Sequence, residues 1–142
     1  MKQVLVIDDD AGVRESFRAA LEDAGYGVTT ADNGHDGIES AQTNRPDLVF
    51  LDLKMPGMSG VETLSALNES CPRVPVYVVT GFYGEFVEPL RALESRGIDF
   101  NLARKPLTAT EIRAIAAGRL NGLEPMIVGN EAPWATAQAA QS

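Results

Sequence analysis

Short apolar runs alternate along the chain with segments in which apolar positions recur every three or four residues. Gln3–Asp8 (QVLVID) is a β-branched run of strand length, and Val13, Phe17, Ala20, Leu21 and Ala24 behind it fall at helical spacing. Gly25 is placed to stop that helix. Gly27–Ala31 is a weaker strand, and Ile38 and Ala41 mark a short, poorly patterned helix before Pro46. Asp47–Asp52 (DLVFLD) is a strong strand. Gly57 and Gly60 punctuate the loop after it, and Val61, Leu64 and Leu67 form the next helical stripe. Pro75–Thr80 (PVYVVT) predicts a fourth strand. Phe86, Leu90 and Leu93 follow on a fourth helix, in which Pro89 must sit in the first turn or bend the axis. Phe100–Arg104 is the fifth strand candidate, and Leu107–Arg119, with Ile112, Ile115 and Ala116 on one face, reads as the last helix.

Repeated strand–helix units predict an α/β fold: a five-stranded parallel sheet with helices on both faces, a three-layer sandwich. Strands that are apolar almost throughout agree, because central parallel strands are buried on both sides. Five units suggest the flavodoxin-like strand order 2-1-3-4-5. No internal repeat is visible. One domain is expected over residues 1–119, and residues 120–142 as a C-terminal tail that is disordered or loosely docked. Met126, Ile127, Val128 and Trp134 are the apolar residues by which such a tail would dock.

Composition narrows the function classes. The 142 residues are 44% apolar and 23% charged, the balance of a globular domain. A net charge of −8 argues against direct nucleic-acid binding, which needs clustered cations, and no polybasic membrane anchor is present. No apolar run is long enough to span a bilayer. The chain opens on a strand pattern rather than a signal peptide, and its one cysteine, Cys71, cannot form an internal disulfide. A cytoplasmic location is therefore expected.

In sheets of this order, ligands bind beyond the carboxyl ends of the strands. Strand one ends in Asp8, followed by Asp9 and Asp10; strand three ends in Asp52, strand four in Thr80, and strand five is followed by Lys105 and Pro106. Asp10 suits the N-cap of the first helix. Clustered carboxylates raise one another's pKa, a conflict that a hard divalent cation resolves. One or two carboxylates plus waters describe a Mg²⁺ site rather than a zinc site. Asp52 could be a nucleophile, since carboxylates form aspartyl-phosphates, with Mg²⁺ and Lys105 neutralising the transferring phosphoryl group. Thr80 could donate a hydrogen bond to it. Taken singly, each residue has a structural explanation: a cap, a turn residue, a buried strand residue, a surface charge. The ordered set, one member per strand end, is what points to chemistry.

Val6-Ile7-Asp8-Asp9-Asp10, Asp52 through Gly60 (DLKMPGMSG), Val78-Val79-Thr80-Gly81 and Lys105-Pro106-Leu107 together resemble the receiver domain of two-component response regulators, over about Met1 to Arg119. The resemblance implies that Asp52 accepts a phosphoryl group from a phosphohistidine of a sensor histidine kinase or phosphotransfer protein. It implies Mg²⁺ (or Mn²⁺ in its place) held by Asp8, Asp9, Asp52 and the backbone carbonyl of Lys54. Lys105 would pair with the phosphoryl oxygens across a cis Lys105–Pro106 bond. Thr80 would carry the change to the face of helix four, strand five and helix five, where a downstream protein target or a second copy of the chain would bind. Such a chain is a phosphoacceptor signalling domain rather than an enzyme with a separate substrate.

One position departs from the family pattern: Leu102 stands three residues before Lys105, where an aromatic is usual, and Phe100 is the nearest aromatic. Lys54 and Phe82 lie two residues after Asp52 and Thr80, positions that flank the attacking water in the family. Neither orients a water as an amide or carboxylate would, so slow autodephosphorylation is expected. Tyr83 and Phe86, with Phe82, form either an exposed aromatic cluster or ordinary helix packing, and His35 reads as a surface residue. Two other classes stay open: a receiver-fold scaffold that acts without phosphorylation, and a Mg²⁺-dependent phosphatase of the haloacid dehalogenase type with Asp8 as nucleophile.

Overall fold

The computed structural model describes residues 1–121; the tail residues Met126, Ile127, Val128 and Trp134 lie outside the described residues. Five strands, β1 (Gln3–Ile7), β2 (Gly27–Ala31), β3 (Leu48–Leu51), β4 (Val76–Thr80) and β5 (Asn101–Arg104), alternate with five helices. The helices are α1 (Ala11–Asp23), α2 (Gly34–Thr43), α3 (Gly60–Ser70), α4 (Tyr83–Ser95) and α5 (Ala109–Leu120). All pairings are parallel and the order is β2-β1-β3-β4-β5, as the alternation predicts.

The two faces of the sheet bury separate cores, divided by the period of two along each strand. Val4, Val6, Phe50, Tyr77, Val79 and Ala103 meet Phe17, Leu21, Ile112 and Ile115 of α1 and α5. Leu5, Ile7, Leu51, Val78 and Leu102 belong to the other core, with Leu64, Leu67, Leu90 and Leu93 of α3 and α4. Gly37 explains the weak pattern of α2: a Cβ there would meet the Ile7 side chain, so close packing replaces an apolar stripe.

β2 has the predicted bounds, and the other four strands fall slightly inside theirs. Asp8 and Asp52 stand just past β1 and β3 while their N–H groups still donate to Ala31 and Ile7 carbonyls, at 3.1 and 2.9 Å. The backbone therefore continues the ladder as the side chains leave the sheet. Phe100 precedes β5, although it packs on the same core as Leu102, as their shared face requires. Pro89 lies in the second turn of α4, not in its first.

The last helix extends one residue past Arg119. It begins at Ala109, behind a capping box between Thr108 and Glu111, and runs through Leu120. Leu120 packs on the α1–α5 core, and Asn121 Nδ2 donates to the Tyr26 hydroxyl at 3.0 Å. Residues 120 and 121 thus both contact the folded part of the chain. Among the described residues no helix is long and apolar enough to cross a membrane.

Candidate functional site

The carboxyl ends of β1, β3, β4 and β5 form one rim. Asp8, Asp9 and Asp52 place a carboxylate oxygen each within 4.8 Å of one another there. Asp8 and Asp52 are buried, at 3% and 5% exposure, and Asp9 is exposed. This cluster of hard oxygen donors, open on one side, suits an octahedral dication that keeps some of its waters. Asp10 stays out of the cluster and caps α1, accepting from Val13 N–H at 3.1 Å, while its own N–H donates to Asp8 Oδ1 at 2.9 Å.

Lys105 supplies the positive charge. Its Nζ lies 2.7 Å from Asp8 Oδ2 and 3.5 Å from Asp52 Oδ1. Its N–H donates to the Thr80 carbonyl at 2.9 Å, and the Lys105–Pro106 peptide is cis, as the family resemblance implies. Burial opposes the charge on Lys105, but the contacts with Asp8 and Asp52 outweigh it and hold the ammonium above its ordinary pKa. Asp52 goes the other way for a carboxyl. Burial, and then the negative charge of Asp8, raise it from 3.8 to about 6, against the lowering effect of Lys105. A carboxyl that resists ionisation in the absence of a cation is what burial beside another acid produces, and a dication would relieve it.

Thr80 is fully buried, and its hydroxyl oxygen accepts the Phe82 N–H at 3.0 Å. Phe82 is 48% exposed and sits beneath Lys54, whose Nζ lies 4.0 Å from the ring centroid. The two residues expected to flank a phosphorylated Asp52 therefore touch each other across the mouth. Leu102 is not at the rim. It is 1% exposed, in register with Val78, in the core on the α3–α4 side of the sheet. Tyr83 and Phe86 are half-buried against that same core, so of the aromatic trio only Phe82 is exposed.

Three further contacts have no signal in the sequence. Arg14 Nη1 donates to the Asp8 carbonyl at 2.9 Å and fixes the backbone under the acidic cluster. Arg104 stacks on Tyr83, with its guanidinium carbon 3.8 Å from the ring centroid. Lys54 Nζ pairs with Glu85 Oε1 at 3.5 Å. Glu85 lies in the first turn of a helix, where acids are common, and nothing local announces its partner.

The model of the response regulator receiver domain matches residues 4–117. The chain belongs to this family. Among curated proteins the receiver is 32% identical over 113 residues to the alkaline phosphatase synthesis transcriptional regulatory protein PhoP of Bacillus subtilis. That match covers 80% of the chain and 46% of the relative. It is 38% identical over 98 residues to a protein-glutamate methylesterase/protein-glutamine glutaminase of Natronomonas pharaonis, covering 68% of the chain and 27% of that protein. The receiver thus corresponds to less than half the length of these relatives. Among solved structures, a CheY-like receiver domain protein from Methanospirillum hungatei aligns with a TM-score of 0.78 at 25% identity, over 86% of this chain and 95% of that one. Chemotaxis protein CheY4 of Vibrio cholerae aligns with a TM-score of 0.73 at 28% identity, over 84% and 99%. Receivers of this family are signalling domains that interact with histidine kinases and downstream effectors. Membership removes the haloacid dehalogenase alternative.

Proposed function

We propose that this receiver is a phosphorylation-controlled switch whose phosphoacceptor is Asp52, and that it acts through a protein target rather than on a substrate of its own. The observation that carries the reading is the buried Asp52 carboxyl, held beside two further aspartates and 3.5 Å from Lys105. A carboxylate oxygen of Asp52 attacks the phosphorus of a phosphohistidine; the P–N bond breaks, the imidazole leaves with a proton, and an acyl phosphate forms. Bound Mg²⁺, or Mn²⁺, held by Asp8, Asp9, Asp52 and the Lys54 carbonyl, would neutralise phosphoryl charge. Lys105, now on Asp8, is within reach of the new phosphoryl oxygens. Thr80, whose oxygen accepts the Phe82 N–H, would donate its hydroxyl proton to a phosphoryl oxygen. Lys54 and Phe82, in contact with each other, would crowd the approach of water to Asp52, which supports slow loss of the phosphoryl group.

Intact mass after incubation with Mg²⁺ and phosphoramidate or acetyl phosphate tests this directly. One added phosphoryl group is expected, absent in Asp52→Asn, decaying slowly once donor is removed. Size-exclusion chromatography of the same sample separates homodimerisation through α4, β5 and α5 from action on a different partner. No gain of mass with Mg²⁺ present would sink the reading and favour a scaffold that works without phosphorylation.

A further inference from the structure

The first turn of α4 is poorly held by its own backbone. Phe82 at the N-cap makes no side-chain capping bond, and Gly84 follows in the first turn. Pro89 has no N–H to offer the Glu85 carbonyl four residues before it. Besides the Phe82 N–H bond to Thr80 and the packing of Tyr83 and Phe86 on the core, two cations from outside the helix meet this turn: Arg104 on Tyr83, and Lys54 on Phe82 and Glu85. Lys54 comes from the loop that follows Asp52.

We propose that Glu85 is a positioning residue for the phosphoacceptor site: with Phe82 it holds the Lys54 ammonium on the first turn of α4, and a phosphoryl group on Asp52 takes that ammonium away. The inference rests on reading Asp52 as the phosphoacceptor. Its physical basis is a competition. The Lys54–Glu85 pair is more than half exposed on both sides, so it is weak and screened. A phosphoryl group carries up to about two negative charges and three strong acceptor oxygens two residues away from Lys54. When Lys54 turns to it, Phe82 and Glu85 lose their cation, and the uncapped turn loses one of the contacts that hold it. With Leu102 confined to the core, this gives the phosphorylated site a route to α4 that needs no aromatic on β5.

The competition predicts a thermodynamic coupling. Glu85→Gln frees Lys54 beforehand, so the site should bind a phosphoryl mimic more tightly. Titrating the protein in saturating Mg²⁺ with beryllium fluoride, followed by amide NMR, reads the affinity and the Phe82 and Glu85 amides together. Glu85→Gln should tighten binding about twofold to fivefold, the range an exposed ion pair can supply. In the Lys54→Ala background the same change should have no effect, because Glu85 acts only through Lys54. Equal affinities of wild type and Glu85→Gln, or a gain that persists without Lys54, would overturn the inference while leaving Asp52 as the phosphoacceptor. No binding by the wild type would overturn the phosphoacceptor reading itself, and this inference with it.

Discussion

Asp52 carries a conflict that its substitution exposes. Its carboxyl is buried beside Asp8 and titrates near 6 rather than 3.8. Between those two values the native state binds more protons at Asp52 than the unfolded chain does. Its contribution to stability therefore falls as pH rises through that window. Asp52→Asn removes the charge at nearly constant shape. In the absence of divalent cations it should raise stability by about 1 kcal/mol at pH 7.5, a Tm gain of roughly 4 °C. The gain should shrink toward zero at pH 4.5, where the wild-type carboxyl is protonated. Paired thermal melts with chelator at both pH values measure it; an equal or larger gain at the lower pH would contradict the assignment. Mg²⁺ held at Asp52 would compete with that proton, so the cation should bind more weakly as pH falls below about 6, readable by calorimetry.

At the scale of elements, the loop between β3 and α3 decides where Asp52 points. Ser59 and Glu62 close a capping box on α3, and Gly60 N–H donates to the Leu53 carbonyl at 2.9 Å. Gly60 is packed so closely that a Cβ would collide with the Leu53 Cα and the Asp52 carbonyl oxygen. Both are backbone atoms, so no rotamer change can yield. Gly60→Ala should cost about 2 kcal/mol or more and displace Asp52 from the cluster. Urea unfolding gives the first effect. Mg²⁺ affinity gives the second, and it should fall several-fold even under conditions where the variant is fully folded. Gly57, at φ +76°, occupies the left-handed region in the same loop and serves the same placement.

The whole molecule closes its α1–α5 face only beyond residue 119. Leu120 packs against the core and Asn121 reaches Tyr26 across the chain. A chain of residues 1–121 should therefore be more stable than one of residues 1–119 by about 1–2 kcal/mol, from lost apolar burial and one hydrogen bond. The urea midpoints of the two chains measure this; identical midpoints would keep the boundary at Arg119. Both chains should still accept a phosphoryl group, because the acidic rim and α5's last turn lie at opposite ends of the sheet.

Local chemistry was written in the sequence, and so was the topology that follows from it. Apolar runs four to six residues long, separated by helical stripes, leave few ways to bury both faces of a strand, so a parallel sheet between helices follows and its order is narrowed to a few. Residues at strand ends, Asp8, Asp52, Thr80 and Lys105, were legible for the same reason: parallel strands deliver their carboxyl ends to one rim. The cap at Asp10 and the Gly25 stop depend only on neighbours in the chain. Contacts that join residues far apart in sequence were not legible. Lys54 on Glu85, Arg104 on Tyr83 and Arg14 on the Asp8 carbonyl arise because separate helices and loops converge on that rim. The fate of Leu102 belongs with them: alternation placed it on one face, and only the packing of α3 and α4 over that face made it a core residue. Periodicity is a property of one segment, whereas an ion pair between loops needs the distance between two segments, which exists only once the sheet has set them side by side.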